Sequence, residues 1–62
     1  MDGNTPLHEA AAAGAQEAAR RLIVAGAPAS QRNARGQTPA EVAREAGFPE
    51  LGMELAAAET AS

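Results

Sequence analysis

The feature that most constrains this chain is that it matches itself when displaced by 33 residues. At that displacement Gly3 falls on Gly36, Thr5 on Thr38, Pro6 on Pro39, Ala10 on Ala43, Ala13 on Ala46 and Gly14 on Gly47. Farther along, Glu17 falls on Glu50, Leu22 on Leu55 and Ala25 on Ala58. Alanine coincidences carry little weight in a chain with 18 alanines. Gly, Thr and Pro coincidences carry more, because backbone geometry dictates where such residues are useful. A period of this length implies two copies of one supersecondary unit, each needing a neighbour to cover its apolar side.

The shared residues spell out the unit. Thr5 and Thr38 sit where a helix N-cap belongs, with a side-chain oxygen free to take an orphan backbone N–H. Pro6 and Pro39 follow at the first helical position, where no N–H donor is missed. A short helix is predicted from there to Ala13, ended by Gly14, and a second over Gln16 to Ala25, closed by Gly26. Glu17 stands three and four residues before Arg20 and Arg21, a spacing that supports the second helix. The second unit repeats the plan, with one helix over Pro39 to Ala46 closed by Gly47 and another from Pro49 to about Ala58. Between them, residues 27–36 contain Pro and Gly and lack helical periodicity, so they read as an extended arm with a tight turn near Asn33 to Gly36.

Sixty-two residues allow one small domain. Only 10 residues are Leu, Ile, Val, Met or Phe, and Phe48 is the sole aromatic, so the core is thin and the helices must approach closely. There is no cysteine to form a disulfide or hold a metal. The net charge of −3 weighs against a general nucleic-acid binder. No apolar run approaches the length of a membrane span, so direct membrane insertion is not expected, and residues 1–4 do not resemble a signal peptide. An intracellular soluble setting is expected over a secreted one.

The stretch Thr5-Pro6-Leu7-His8-Glu9-Ala10 resembles the Thr-Pro-Leu-His-x-Ala signature of the ankyrin repeat family. Gly26-Ala27 is similar to that family's Gly-Ala at the end of the outer helix, and Asn33 to Pro39 to its Asp-x-x-Gly-x-Thr-Pro turn. The resemblance implies an all-α fold of ankyrin-type helix–turn–helix repeats joined by a β-hairpin-like arm. Residues 2–33 would form repeat 1, 34–59 repeat 2, and 60–62 a tail. The second unit departs from the pattern. It has Ala40-Glu41 for Leu-His, Gly52 and Ala56 for larger aliphatics, and Glu59 for the terminal Gly, as atypical end repeats do. Repeat 1 is the more typical one, and the family logic implies an uncovered apolar side there made by Leu7, Ala11 and Leu22.

Candidate chemistry is sparse. His8 is the single histidine and cannot make a zinc site by itself. The resemblance gives it a structural task, bridging turn and backbone groups. A triad would have to draw on Ser30 or Ser62, Asp2 and His8, with nothing to orient them. The carboxylate pairs Glu41/Glu45 and Glu50/Glu54 read as solvated helix faces. No phosphate-binding glycine loop occurs.

The resemblance implies instead that partners meet the turn tips and the exposed side of the inner helices. That points to Asn4, Arg32, Ala34, Arg35 and Gln37 at the tips, and to Ala12, Ala13 and Glu45 on the inner helices. The structural motif would comprise Thr5, Pro6, Leu7, His8, Gly14, Gly26, Gly36, Thr38, Pro39 and Gly47. The expected function is non-catalytic protein–protein docking without a cofactor or small-molecule substrate. The partner would be another protein or further ankyrin repeats. A small nucleic-acid-binding helix–turn–helix protein is the competing reading, though it would need a basic recognition helix.

Overall fold

The computed structural model describes residues 3–61, the last by its backbone only. Four helices follow one another: α1 (Pro6–Ala13), α2 (Gln16–Val24), α3 (Pro39–Glu45) and α4 (Pro49–Ala61). No strand occurs among the described residues. The chain is all-α, two antiparallel helix pairs joined by the arm of residues 27–36.

Both inner helices begin as the threonines predict. Thr5 and Thr38 are extended, at φ −86° and −81°, and each accepts a hydrogen bond from the backbone N–H three residues on. Gly14, at φ +68°, lets the chain reverse after α1, and its N–H satisfies carbonyls of the last turn. The long α4 departs from expectation, running to Ala61 and not stopping near Ala58. Its unit lacks the glycine that reverses the chain after α2. Glu59 stands where Gly26, at φ +97°, ends the earlier helix pair. Ala57, Ala58, Glu59 and Ala61 then simply propagate the helix.

The inner helices carry most of the packing. α1 lies against both α2 and α3, α3 lies against α4, and α2 and α4 touch little. The core is Leu7, Ala10, Ala11, Ala19, Ala29, Ala40, Ala43, Leu51 and Leu55, with Leu22, Ile23, Val42 and Ala56 packed around it. This corrects the expected uncovered side. Leu7 and Ala11 are fully buried because α1 sits between two helices, and Leu22 is half-buried. The residues left open on that side belong to α2, namely Ala18, Arg21 and Ala25, one stripe at helical spacing.

Gly52 also proves to be more than missing bulk. It is buried, and a Cβ there would lie 2.8 Å from the Cγ of Arg44 and 3.2 Å from the carbonyl oxygen of Ala40. The glycine lets α4 close onto α3, with the Arg44 stem lying across it. Displaced by 33 residues, the same two positions are Ala11 and Ala19, both buried. The first unit uses two alanines where the second uses an arginine and a glycine.

Candidate functional site

The local frame of each unit is a reciprocal cap. In the first, His8 N–H donates to Thr5 Oγ1 at 3.3 Å while the ring reaches back, its Nδ1 3.2 Å from Thr5 N and 2.8 Å from Thr5 Oγ1. On the far side of the ring, Nε2 lies 2.8 Å from the carbonyl oxygen of Gln37. A carbonyl only accepts, so Nε2 carries the hydrogen and Nδ1 accepts from Thr5. His8 is wholly buried, with both ring nitrogens engaged. It ties the start of α1 to the arm of the next unit, 29 residues away. Ser30 is exposed in the arm, and Asp2 and Ser62 lie outside the described residues. Among the described residues no group of three or more His, Asp or Glu side chains could hold a metal ion.

In the second unit Glu41 takes the histidine's place. Its Oε1 accepts from Thr38 N at 2.9 Å and Thr38 Oγ1 at 3.4 Å, and Glu41 N–H donates back at 3.3 Å. The bond from the Thr38 backbone is the main reason the Glu41 carboxyl sits below its ordinary value. The Thr38 hydroxyl, Arg32 and Arg44 act in the same direction against slight burial. Arg32 approaches Glu41 at 3.9 Å and donates to the Gly36 carbonyl at 2.8 Å.

The arm is closed by Asn33. Its N–H donates to the Gln37 carbonyl at 2.9 Å, and Gly36 N–H donates back to the Asn33 carbonyl at 2.9 Å. Its side-chain oxygen takes the N–H groups of Arg35 and Gln37 at 2.9 and 3.0 Å. These bonds make a hairpin-like turn without a strand. The Asn33 amide then reaches the first unit, donating to Asn4 Oδ1 at 3.0 Å. Gln37 Nε2 bonds Glu45. The two turn tips also abut through backbone, since a Cβ on Gly3 would lie 3.1 Å from Ala34 N.

A second set of contacts joins the outer helices. Arg20 donates to Glu54 Oε1 from Nε at 3.0 Å and from Nη2 at 2.8 Å, and Gln16 donates to Glu54 Oε2. Those bonds, Arg20 first and then Gln16, hold the Glu54 carboxyl below its ordinary value. Arg21 points elsewhere and meets Glu17 only at 3.7 Å. At the joint, the Phe48 ring lies over Gly14 so closely that a Cβ there would come within 2.6 Å of it.

The residues proposed from sequence therefore fall into two groups. Asn4, Ala12, Arg35 and Gln37 line one hollow between the turn tips and the inner helices, together with Asn33 and Val42. Ala13, Arg32, Ala34 and Glu45 are exposed but do not line it; Glu45 touches it through Gln37, and Arg32 is drawn toward Glu41. Sequence reasoning placed Asn33 in the turn but not in the site. Its correspondence with the turn Asp of the family signature was the available signal.

Capped inner helices, an arm whose tip stacks on the tip before it, and an imidazole bridging one unit to the next reproduce in space the 33-residue period of the sequence. The sequence profile described as "Ankyrin repeats (many copies)" matches residues 2–43. The chain belongs to the ankyrin repeat family. Over 53 residues, 86% of this chain, it is 45% identical to the ARF GTPase-activating protein GIT1 of Homo sapiens, and equally to those of Mus musculus and Rattus norvegicus. The chain spans 7% of the length of these curated relatives. No solved structure matches it. Ankyrin repeats are protein-interaction modules and generally carry no catalysis of their own. The matched profile ends inside α3, before Gly52, Ala56 and Glu59, the positions where the second unit leaves the family pattern.

Proposed function

We propose that this chain is a non-catalytic docking module that works within a longer ankyrin array or as a small subunit of a larger assembly, and that it grips a partner protein in the hollow at its turn tips. The observation carrying this reading is the composition of that hollow. Ala12 and Val42 contribute apolar surface, Asn4, Asn33 and Gln37 contribute amides, and Arg35 contributes a guanidinium. The Arg35 guanidinium has no ion pair among the described residues, so its planar fork is available to a carboxylate or carbonyl of the partner. The GTPase-activating activity named for the relatives is not carried over, because the match spans so little of their length.

The nucleic-acid reading has less support. Of the two arginines in α2, Arg20 is engaged by Glu54 and Arg21 lies near Glu17, and the chain as a whole is acidic. A photo-cross-linker placed at Ala12 tests the proposal against the same probe at Ala57, on the outer helix. A partner protein captured from Ala12 and not from Ala57, and captured several-fold less after Arg35→Glu, is the expected result. Equal capture from both positions, or indifference to Arg35→Glu, would remove the hollow from the binding surface. A salt-dependent shift of DNA by the intact chain would transfer support to the nucleic-acid reading.

A further inference from the structure

We infer that the outward side of the first unit is a stacking face for one further ankyrin unit that presents a carboxylate where this chain carries Arg20, whereas the outward side of the second unit lacks the groups for such a contact. This rests on the docking-module reading and gives it a direction. The joint between the two units supplies the template. Three donors of the first unit, the His8 ring, Gln16 and Arg20, reach across it to the Gln37 carbonyl and Glu54.

Displacement by 33 residues shows what each outward side offers in their place. On the second unit the three donors become Glu41, Pro49 and Met53. A carboxylate, a proline ring and a thioether donate nothing to an acid or a carbonyl at those positions. Met53 is 63% exposed, and the Glu41 carboxylate is occupied with its own cap.

On the first unit the accepting side is intact, but one charge is reversed. Asn4 stands where Gln37 offers its carbonyl, and Gly3, at φ +66°, turns the chain as Gly36 does at +77°. Ala18, Arg21 and Ala25 correspond to Leu51, Glu54 and Ala58, which are buried or half-buried at the second unit's inner side. Arg21 thus occupies the place of Glu54, the acid that receives Arg20. Its side chain is 80% exposed, held only by the long contact to Glu17. A second copy of this chain would bring Met53 to Arg21, so it is a poor occupant. A unit with an acid at that position, and a His8-like donor for the Asn4 carbonyl, complements both groups.

The test joins a copy of residues 1–33 directly ahead of Met1, which keeps the 33-residue register, and measures thermal unfolding. The copy carries either its own arginine or R20E, and each is combined with wild-type Arg21 or R21E in the original unit. With wild-type Arg21 the R20E copy should melt about 4 °C higher, the order should invert with R21E, and the gap should close in molar salt. H8A in the copy should lower the midpoint as well. Four equal midpoints, or a three-unit chain no more cooperative than the 62-residue chain, would overturn the assignment. Self-association of the 62-residue chain through this side, abolished by the joined unit, would give the face to a second copy and overturn it too. No partner protein enters this measurement, so its failure leaves the hollow around Arg35 to be judged separately.

Discussion

The two units use one cap with different chemistry. Thr5 and Thr38 open their helices alike, yet the residue three positions on is an imidazole in the first unit and a carboxylate in the second. Both satisfy the cap backbone. Only the imidazole has a second polar edge facing away from the first, and only the first unit has a described unit behind it, whose Gln37 carbonyl that edge reaches. The carboxylate of Glu41 turns toward its own cap and Arg32. The difference teaches that the histidine of the signature does two jobs at once, and that a residue able to do one of them suffices where no neighbour asks for the other.

The sharpest way to break this comparison is to exchange the residues. His8→Ala should cost about 2–4 kcal/mol, because it opens a cavity, strands the Thr5 donors and leaves the Gln37 carbonyl with the Asn33 N–H alone. Glu41→Ala should cost less, since its carboxylate is solvated and water replaces it. His8→Glu should be as damaging as the alanine, for it sets a carboxylate against a carbonyl, while Glu41→His should be tolerated. Urea unfolding of the four variants decides the matter; equal losses at the two positions would mean that the bridge to Gln37 contributes nothing.

A second contrast concerns the glycines after the inner helices. Gly14 and Gly47 both have positive φ, +68° and +93°, but a Cβ at Gly47 meets nothing within 4 Å. Each alanine substitution should cost about 1–2 kcal/mol in backbone strain. Gly14→Ala should cost more than that, since Phe48 must also move, and Phe48→Ala should return the excess in a double-mutant cycle. Gly52→Ala should likewise destabilise by about 1 kcal/mol in spite of the helical preference of alanine, and Arg44→Ala should relieve most of that loss. Should Gly52→Ala stabilise the native chain, the close approach of α3 and α4 would not be what the glycine serves.

Smaller effects come from the caps themselves. Thr5→Ala and Thr38→Ala should each cost about 1 kcal/mol, read as shifts in the urea midpoint. Their near-equality would show that the two units differ beyond the cap and not in it. The smallest effect is that of acid. Glu41 and Glu54 both titrate below the ordinary 4.5 in the folded chain. Their contribution is therefore complete above that value and disappears as pH falls through the lowered folded values. Both groups are solvated and screened, so the loss should be modest and should shrink in salt. Glu54→Gln should remove the share belonging to the joint between outer helices, where its carboxylate accepts from Arg20 and Gln16.

Much of the fold was legible in the chain because its signals are local. Thr-Pro at each helix start, glycine after each inner helix and the Asn33–Gly36 turn act within a few residues, and the four helices begin where these residues place them. The late end of α4 was legible too, in Glu59 standing for a glycine, although the residues after it were read as a tail. Four of the eight tip and inner-helix residues line the hollow, because register alone sets where a position falls on a repeated unit. What register could not show is that Arg32 bends back toward Glu41, or that Asn33 both builds the turn and lines the hollow.

By itself, then, the sequence determined the unit, its period and its caps, since each depends on the conformational preferences of one residue and its near neighbours. The tertiary structure decided everything that spans the joint. Arg20 stands three residues from Glu17, yet its guanidinium crosses to Glu54, 34 residues away, while Arg21 takes the local partner. Leu7 and Ala11 were expected on an open side and are enclosed, because stacking places α1 between two helices. Helical spacing offers a charged side chain several neighbours at similar cost, and only the packing of one unit on the next selects among them.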